Sequence, residues 1–259
     1  MSDALPRKVV VGTAMYAMWG EYPGVERRLE ALGEIIDEMA RQAAERYPGS
    51  SLDLVVLPED AVCGGRSGSA AERSVALEGP VLERMAAKAR QYGTYVVVPL
   101  FLVENREEGL YTNAAALLDR TGKVAGIYRK VHPVAAKSSA LLEDGVAPGT
   151  EFPVFECDFG RLGIQICFDI EFGDGWEALA RQGAEIVAWP SQSPQTVQPA
   201  ARAAITKSTC CSCLVPQWIW SAILAARQPS AVRTSRAASR NGRYRWAMLS
   251  PCKPGVRVP

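Results

Sequence analysis

Over the first hundred residues, three short runs dominated by apolar side chains alternate with two amphipathic stretches, and this alternation restricts the chain to folds built on a covered sheet. Residues 8–14 (KVVVGTA), 52–57 (LDLVVL) and 94–102 read as strands. Between them, residues 24–47 carry Leu29, Leu32, Ile35, Ile36 and Met39 at helical spacing before Pro48-Gly49 stops the pattern, and 80–92 reads as a helix closed by Gly93. The order is β-α-β-α-β. Two hairpins follow: 111–119 with 123–128 around Arg120-Thr121-Gly122, and 152–157 with 162–167 around 158–161. A helix over 176–182 then leads past Gly183 to a strand over 185–189. Such a mixture predicts an α/β fold, a mixed sheet with helices on its faces.

The 259 residues, 48% hydrophobic, are enough to bury a large core. The N-terminus has neither the long apolar stretch nor the cleavage site of a secretory signal, and nowhere do eighteen uninterrupted apolar residues occur, so a soluble cytoplasmic protein without a membrane partner is expected. Seven cysteines without regular spacing read as reduced thiols. Cys210-Cys211-Ser212-Cys213 lacks a second Cys/His pair nearby, and no phosphate-binding glycine loop or metal-ligand spacing is present, so no metal site is expected.

Three segments end a predicted strand with a reactive residue: LVVLPED at Glu59, GIYRKVHP at Lys130 and RLGIQICFDIEF at Cys167. Taken singly, each has a plain structural reading: a solvated carboxylate, a surface lysine, a buried small thiol. Their combination acquires weight because the chain has one histidine, His132, and so little material for a histidine-based triad. A thiol becomes a useful nucleophile when a cation favours its thiolate and a carboxylate takes the proton. Lys130 and Glu59 supply these two groups.

LPED, YRKVHP and GIQICFD, in that order and about seventy and then about forty residues apart, resemble the Glu-Lys-Cys motifs of the nitrilase superfamily of carbon-nitrogen hydrolases. The similarity extends through YTNAAALLDRTGKVAGIYRK, PGTEFPVFECDFGRLG and GAEIVAWPSQS. It implies a four-layer α-β-β-α sandwich, a small-molecule amide, carbamoyl or nitrile substrate, no cofactor, and a homodimer or larger assembly. It also implies Glu59 as general base, Cys167 as nucleophile, and Lys130 with the backbone N–H of Phe168 as oxyanion donors. A second glutamate expected between lysine and cysteine is matched by Glu143, with Asp144 competing. Phe168-Asp169 after the cysteine is closer to the aromatic-Asp pattern of amidases and carbamoylases than to the Trp-Glu of nitrilases, so Phe168 is a candidate substrate contact. Asp169 reads equally as a structural carboxylate that pins its loop. Nitrile hydrolysis and a damaged, inactive member are the alternatives.

The similarity fades after about residue 204, dividing the chain into a hydrolase domain over 1–204 and an atypical segment over 205–259. That segment holds nine of the 29 basic residues and none of the 28 acidic ones. A nucleic-acid partner is not expected, because its arginines are scattered among Ser, Ala and Pro. Back-translation of 204–211 with freely chosen codons gives, in a shifted frame, His-His-Glu-Val-Tyr-Val-Leu, the kind of helix end and strand that the family uses. The segment therefore reads as out-of-frame sequence in preference to a genuine basic tail. It is expected to supply few strands and to leave the second sheet short.

Overall fold

A computed structural model describes residues 8–16, 21–134, 143, 145–192, 197–206, 208–213, 234–238 and 244–249. The chain runs β1 (Val11–Tyr16), α1 (Val25–Arg46), β2 (Leu54–Val56), α2 (Ala70–Arg73), α3 (Pro80–Tyr92), β3 (Tyr95–Asn105), β4 (Leu110–Leu118) and β5 (Val124–Arg129). It continues with β6 (Val154–Cys157), β7 (Gly160–Ile164), a 3-10 turn (Cys167–Glu171), α4 (Asp174–Arg181), β8 (Ile186–Pro190), α5 (Val197–Thr206), β9 (Thr209–Cys213), β10 (Thr234–Ala238) and β11 (Tyr244–Leu249). Among these residues the strands form a seven-stranded sheet, β10-β11-β1-β2-β3-β4-β5, and a four-stranded sheet, β6-β7-β8-β9.

The strand period of two distributes the apolar residues among three cores. Val55, Val96, Val98, Ala114 and Ala116 point outward from the first sheet against the Leu29, Leu32, Ile36 and Met39 stripe of α1 and against Val81 and Met85 of α3. Their neighbours Leu54, Val56, Val97, Ala115 and Leu117 point the other way and meet Leu162, Ile164, Ile186 and Ala188 of the second sheet. Val187 and Trp189 face outward from that sheet, against Trp176 and Leu179 of α4 and Ala203 of α5. The result is the α-β-β-α sandwich. Each Leu or Ile fully buried in such layers contributes about 1.5–3 kcal/mol.

Two glycines are required by local geometry. Gly93 caps α3 in the left-handed region (φ 57°), where a side chain is strained. At Gly12 a Cβ would lie 2.7 Å from Met39 Sδ, so its absence lets α1 settle on β1.

The structure departs from the sequence expectation in three places. The β6-β7 turn is tighter than predicted, because Cys157 pairs with Gly160 and leaves only Asp158 and Phe159 in the loop. β7 stops at Ile164, so Cys167 lies in the turn beyond the strand. Residues beyond 204 do supply strands: β9 pairs parallel with β8, and β11 pairs antiparallel with β1 and β10. These ladders are made by backbone N–H and C=O groups, which every residue but proline carries, so they tolerate an atypical composition. The second sheet is still the shorter one.

Candidate active site

The polar side chains converge beyond the C-terminal ends of β2, β5, β7 and β8. After β2, Leu57 N donates to Val97 O (3.1 Å), and Ala61 N to Pro58 O (3.0 Å) closes a turn around Glu59. Asp60 adopts φ 56°, unusual for a residue with a side chain, and turns the chain away directly after Glu59. β5 delivers Lys130 opposite Asn113 of β4, with Lys130 N donating to Asn113 O at 2.8 Å.

The Lys130 ammonium lies between two carboxylates. Nζ donates to Glu59 Oε1 at 3.0 Å and to Glu143 Oε1 at 2.7 Å. Lys130 is 1% exposed, Glu59 5% and Glu143 5%, so the cluster is shielded from solvent. Burial works against the lysine's charge, but Glu59, Glu143 and Cys167 outweigh it and hold its pKa above the ordinary value. Glu59 Oε2 accepts from Gln192 N at 3.1 Å. Glu143 Oε2 accepts from Val134 N. Asp144, the competitor of Glu143, lies outside the described residues.

Cys167 opens its turn at φ 43°, a left-handed conformation held by two side chains, Trp189 and Asp169. Trp189 Nε1 donates to Cys167 O (2.9 Å), while Asp169 Oδ2 accepts from Ile166 N (2.9 Å) and from Tyr128 Oη (2.7 Å). Asp169 Oδ1 accepts from His132 N at 2.9 Å and stands 3.1 Å from His132 Nδ1. Asp169 is thus the carboxylate that pins the turn, and the ring of His132 stacks on Phe172 with centroids 3.8 Å apart. Phe168 is 37% exposed, with its ring edge-on to Phe172.

The Cys167 thiol interacts with Glu59 and Ser191. Lys130 favours the thiolate, as expected, and draws the thiol pKa down. Burial and then the negative charge of Glu59 outweigh it and push the thiol up to about 12. At neutral pH Cys167 is therefore a protonated thiol beside Glu59. Cys63 and Cys157 are also free thiols, both raised first by burial.

Sequence reasoning passed over Asn113, Asp60 and Gln192. Asn113 Nδ2 donates to Glu59 Oε1 (3.2 Å) and to Glu143 Oε1. Gln192 Nε2 donates to Asp60 Oδ2 (2.6 Å), tying the loop after β2 to the loop after β8. Asp60 is pushed up to about 7, first by burial and then by Glu59. A polar residue within an apolar strand, as in AAALL after Asn113, was the one available signal for Asn113.

The carbon-nitrogen hydrolase sequence profile matches residues 14–218. A probable nitrilase of Schizosaccharomyces pombe is 27% identical over 139 residues, which are 53% of this chain and 49% of that protein. Deaminated glutathione amidase of Yersinia enterocolitica is 29% identical over 149 residues, 55% of this chain and 52% of that protein. N-carbamoylputrescine amidase of Arabidopsis thaliana is 34% identical over 121 residues, 43% and 36% of the two chains. The chain spans about half the length, or less, of these curated relatives. The crystal structure of Saccharomyces cerevisiae Nit3, a member of branch 10 of the nitrilase superfamily, superposes with a TM-score of 0.70 at 18% identity, covering 98% of this chain and 93% of that one.

Proposed function

This chain belongs to the carbon-nitrogen hydrolase family of the nitrilase superfamily, and on that premise we propose that it cleaves a non-peptide C–N bond of an amide or N-carbamoyl compound through a thioester on Cys167. The observation that carries the reading is the Lys130 ammonium between Glu59 and Glu143, with the Cys167 thiol against Glu59.

Glu59 takes the Sγ proton as Sγ attacks the carbonyl carbon. The C=O pair moves onto oxygen, and the oxyanion is met by Lys130 and by the backbone N–H of Phe168. An ammonium has three N–H donors, of which two hold the carboxylates, so one remains for the oxyanion. Collapse breaks the C–N bond, and the leaving nitrogen departs as ammonia or amine with the proton from Glu59. Water deprotonated by Glu59 then attacks the thioester, releasing the acid and restoring the thiol. Glu143 holds Lys130 in place, and the exposed ring of Phe168 contacts the substrate. Phe168-Asp169 supports an amide or carbamoyl substrate, as do the names of two of the relatives. A nitrile remains the second reading, favoured by the name of the first.

Cys167→Ala is expected to abolish ammonia release from any accepted amide, while Cys63→Ala and Cys157→Ala keep it. Retained turnover in Cys167→Ala would sink the mechanism. Faster turnover of a nitrile than of its matched amide would overturn the substrate class.

A homodimer or larger assembly belongs to the same proposal, and sizing of the purified chain checks it. For 205–259 the proposal remains out-of-frame sequence, supported by nine basic residues without one acidic residue. Coding DNA across codons 200–215 decides it.

A further inference from the structure

In the buried cluster, two oxygens are each bonded by the same two nitrogens. Glu59 Oε1 accepts from Lys130 Nζ (3.0 Å) and from Asn113 Nδ2 (3.2 Å). Glu143 Oε1 accepts from Lys130 Nζ (2.7 Å) and again from Asn113 Nδ2. The four atoms close a ring, with an ammonium and an amide at opposite corners and carboxylate oxygens at the other two. The cross-strand pairing explains the arrangement. Asn113 and Lys130 are opposed across β4 and the end of β5, so both side chains reach the same pair of carboxylates.

The ring is short of positive charge, since two buried carboxylates face one ammonium. An uncompensated buried carboxylate takes up a proton unless hydrogen bonds hold its charge. Asn113, 2% exposed, supplies such bonds with the amide N–H hydrogens of one nitrogen. Its orientation follows from the partners, because an ionised carboxylate only accepts. With Lys130 and Asn113 both on Oε1, the lone pairs of that oxygen are taken, and Oε2, which accepts from Gln192 N, retains one.

We infer that Asn113 is a positioning residue for the general base: it holds Oε1 of Glu59 and Oε1 of Glu143 together, donates an N–H to each carboxylate, and leaves Oε2 of Glu59 to take the Cys167 proton. The inference rests on the thiol mechanism proposed above. Among the described residues, the charged and titratable groups facing Glu59 are Lys130 at the end of β5, Cys167 in the turn after β7, Asp60 in its own loop, and Glu143 across Lys130. Arg73 of α2 acts on Asp60. Of these only Lys130 also donates to both carboxylates, and its single charge is shared between them.

The test is the pH profile of kcat/KM for ammonia release, measured on the full chain and on Asn113→Ala, Asn113→Ser and Asn113→Asp. Without the amide, Glu59 protonates more readily. The acid limb of the Asn113→Ala profile should therefore move to higher pH, with a loss of about tenfold to a hundredfold at neutral pH, a fraction of what general-base catalysis supplies, and with KM little changed. Asn113→Ser, which keeps one donor, should lie between the alanine variant and the wild type. Asn113→Asp, which adds a third carboxylate, should move furthest. Should Asn113→Ala fail to fold, the serine variant carries the test by the position of its limb. An acid limb that stays where the wild type has it, in whichever of these variants folds, overturns the inference even if the rate falls. Turnover by Cys167→Ala overturns the underlying mechanism instead, so the two failures are distinguishable.

Discussion

β2 and the β4-β5 hairpin hold a cation between two carboxylates at both of their ends, and the two clusters differ in almost everything else. At one end Arg120, in the hairpin turn, donates to Asp158 Oδ2 and Oδ1 at 2.7 and 2.8 Å and to Asp53 Oδ1 at 2.8 Å. Asp53 precedes β2, its other oxygen accepts from Val10 N beside β1, and Asp158 belongs to the β6-β7 turn, so this cluster clamps one sheet to the other. At the opposite end Lys130 lies between Glu59 and Glu143. The Arg120 side chain is 25% exposed and that of Asp158 55%, against 1% for Lys130. Both clusters have one positive and two negative groups, yet solvent screens the first and leaves the second to its own hydrogen bonds. The cation type follows the task. A guanidinium grips a carboxylate with a planar fork, whereas an ammonium is a point charge whose third N–H stays available.

Breaking the buried cluster should have the largest effect. Lys130→Met leaves Glu59 and Glu143 without their cation, which should cost about 3–5 kcal/mol of stability at neutral pH and at least about a hundredfold in turnover. Urea unfolding and an amidase assay on the same preparation check both. Equal losses in Arg120→Met would erase the contrast between the two ends.

An intermediate effect is expected from Asp60, which borders the buried cluster. Its ordinary pKa is 3.8, and in the fold it is pushed up to about 7 by burial and by Glu59. The folded chain thus binds the extra proton through that window, and the contribution of Asp60 to stability declines as pH rises from 3.8 to about 7. Asp60→Asn should therefore melt a few degrees above the wild type at pH 8, with no such gain near pH 3.5. A gain that is the same at both pH values would show that the carboxyl does not titrate as the geometry demands.

The smallest effect belongs to the exposed cluster. Arg120→Met removes ion pairs of the kind that contribute about 0.2–1 kcal/mol each and should leave kcat/KM unchanged. A loss of turnover there would show that the clamp between the sheets reaches the site.

Much of the fold was legible because period is a one-dimensional property. The Leu29-Leu32-Ile36-Met39 stripe had to face a sheet, the α3 boundaries 80–92 were marked by Pro80 and Gly93, and the short apolar runs of β2 and β3 marked covered strands, while the division of their residues between two cores came from the fold. Glu59, Lys130 and Cys167 stood out because each follows a strand in a chain with a single histidine. Three other features were decided by tertiary structure alone. Asn113 reads as one polar residue in a strand until β4 sets it opposite Lys130, between two carboxylates brought from 54 and 30 residues away in the chain. The left-handed turn at Cys167 depends on Trp189 and Asp169 gripping its backbone, and no local signal announces it. The protonation of Cys167 and Asp60 follows from burial and from a neighbouring charge, which have no existence in the sequence. Residue type and spacing are carried along the chain, whereas electrostatic environment is a property of distances in space, and only folding sets those distances.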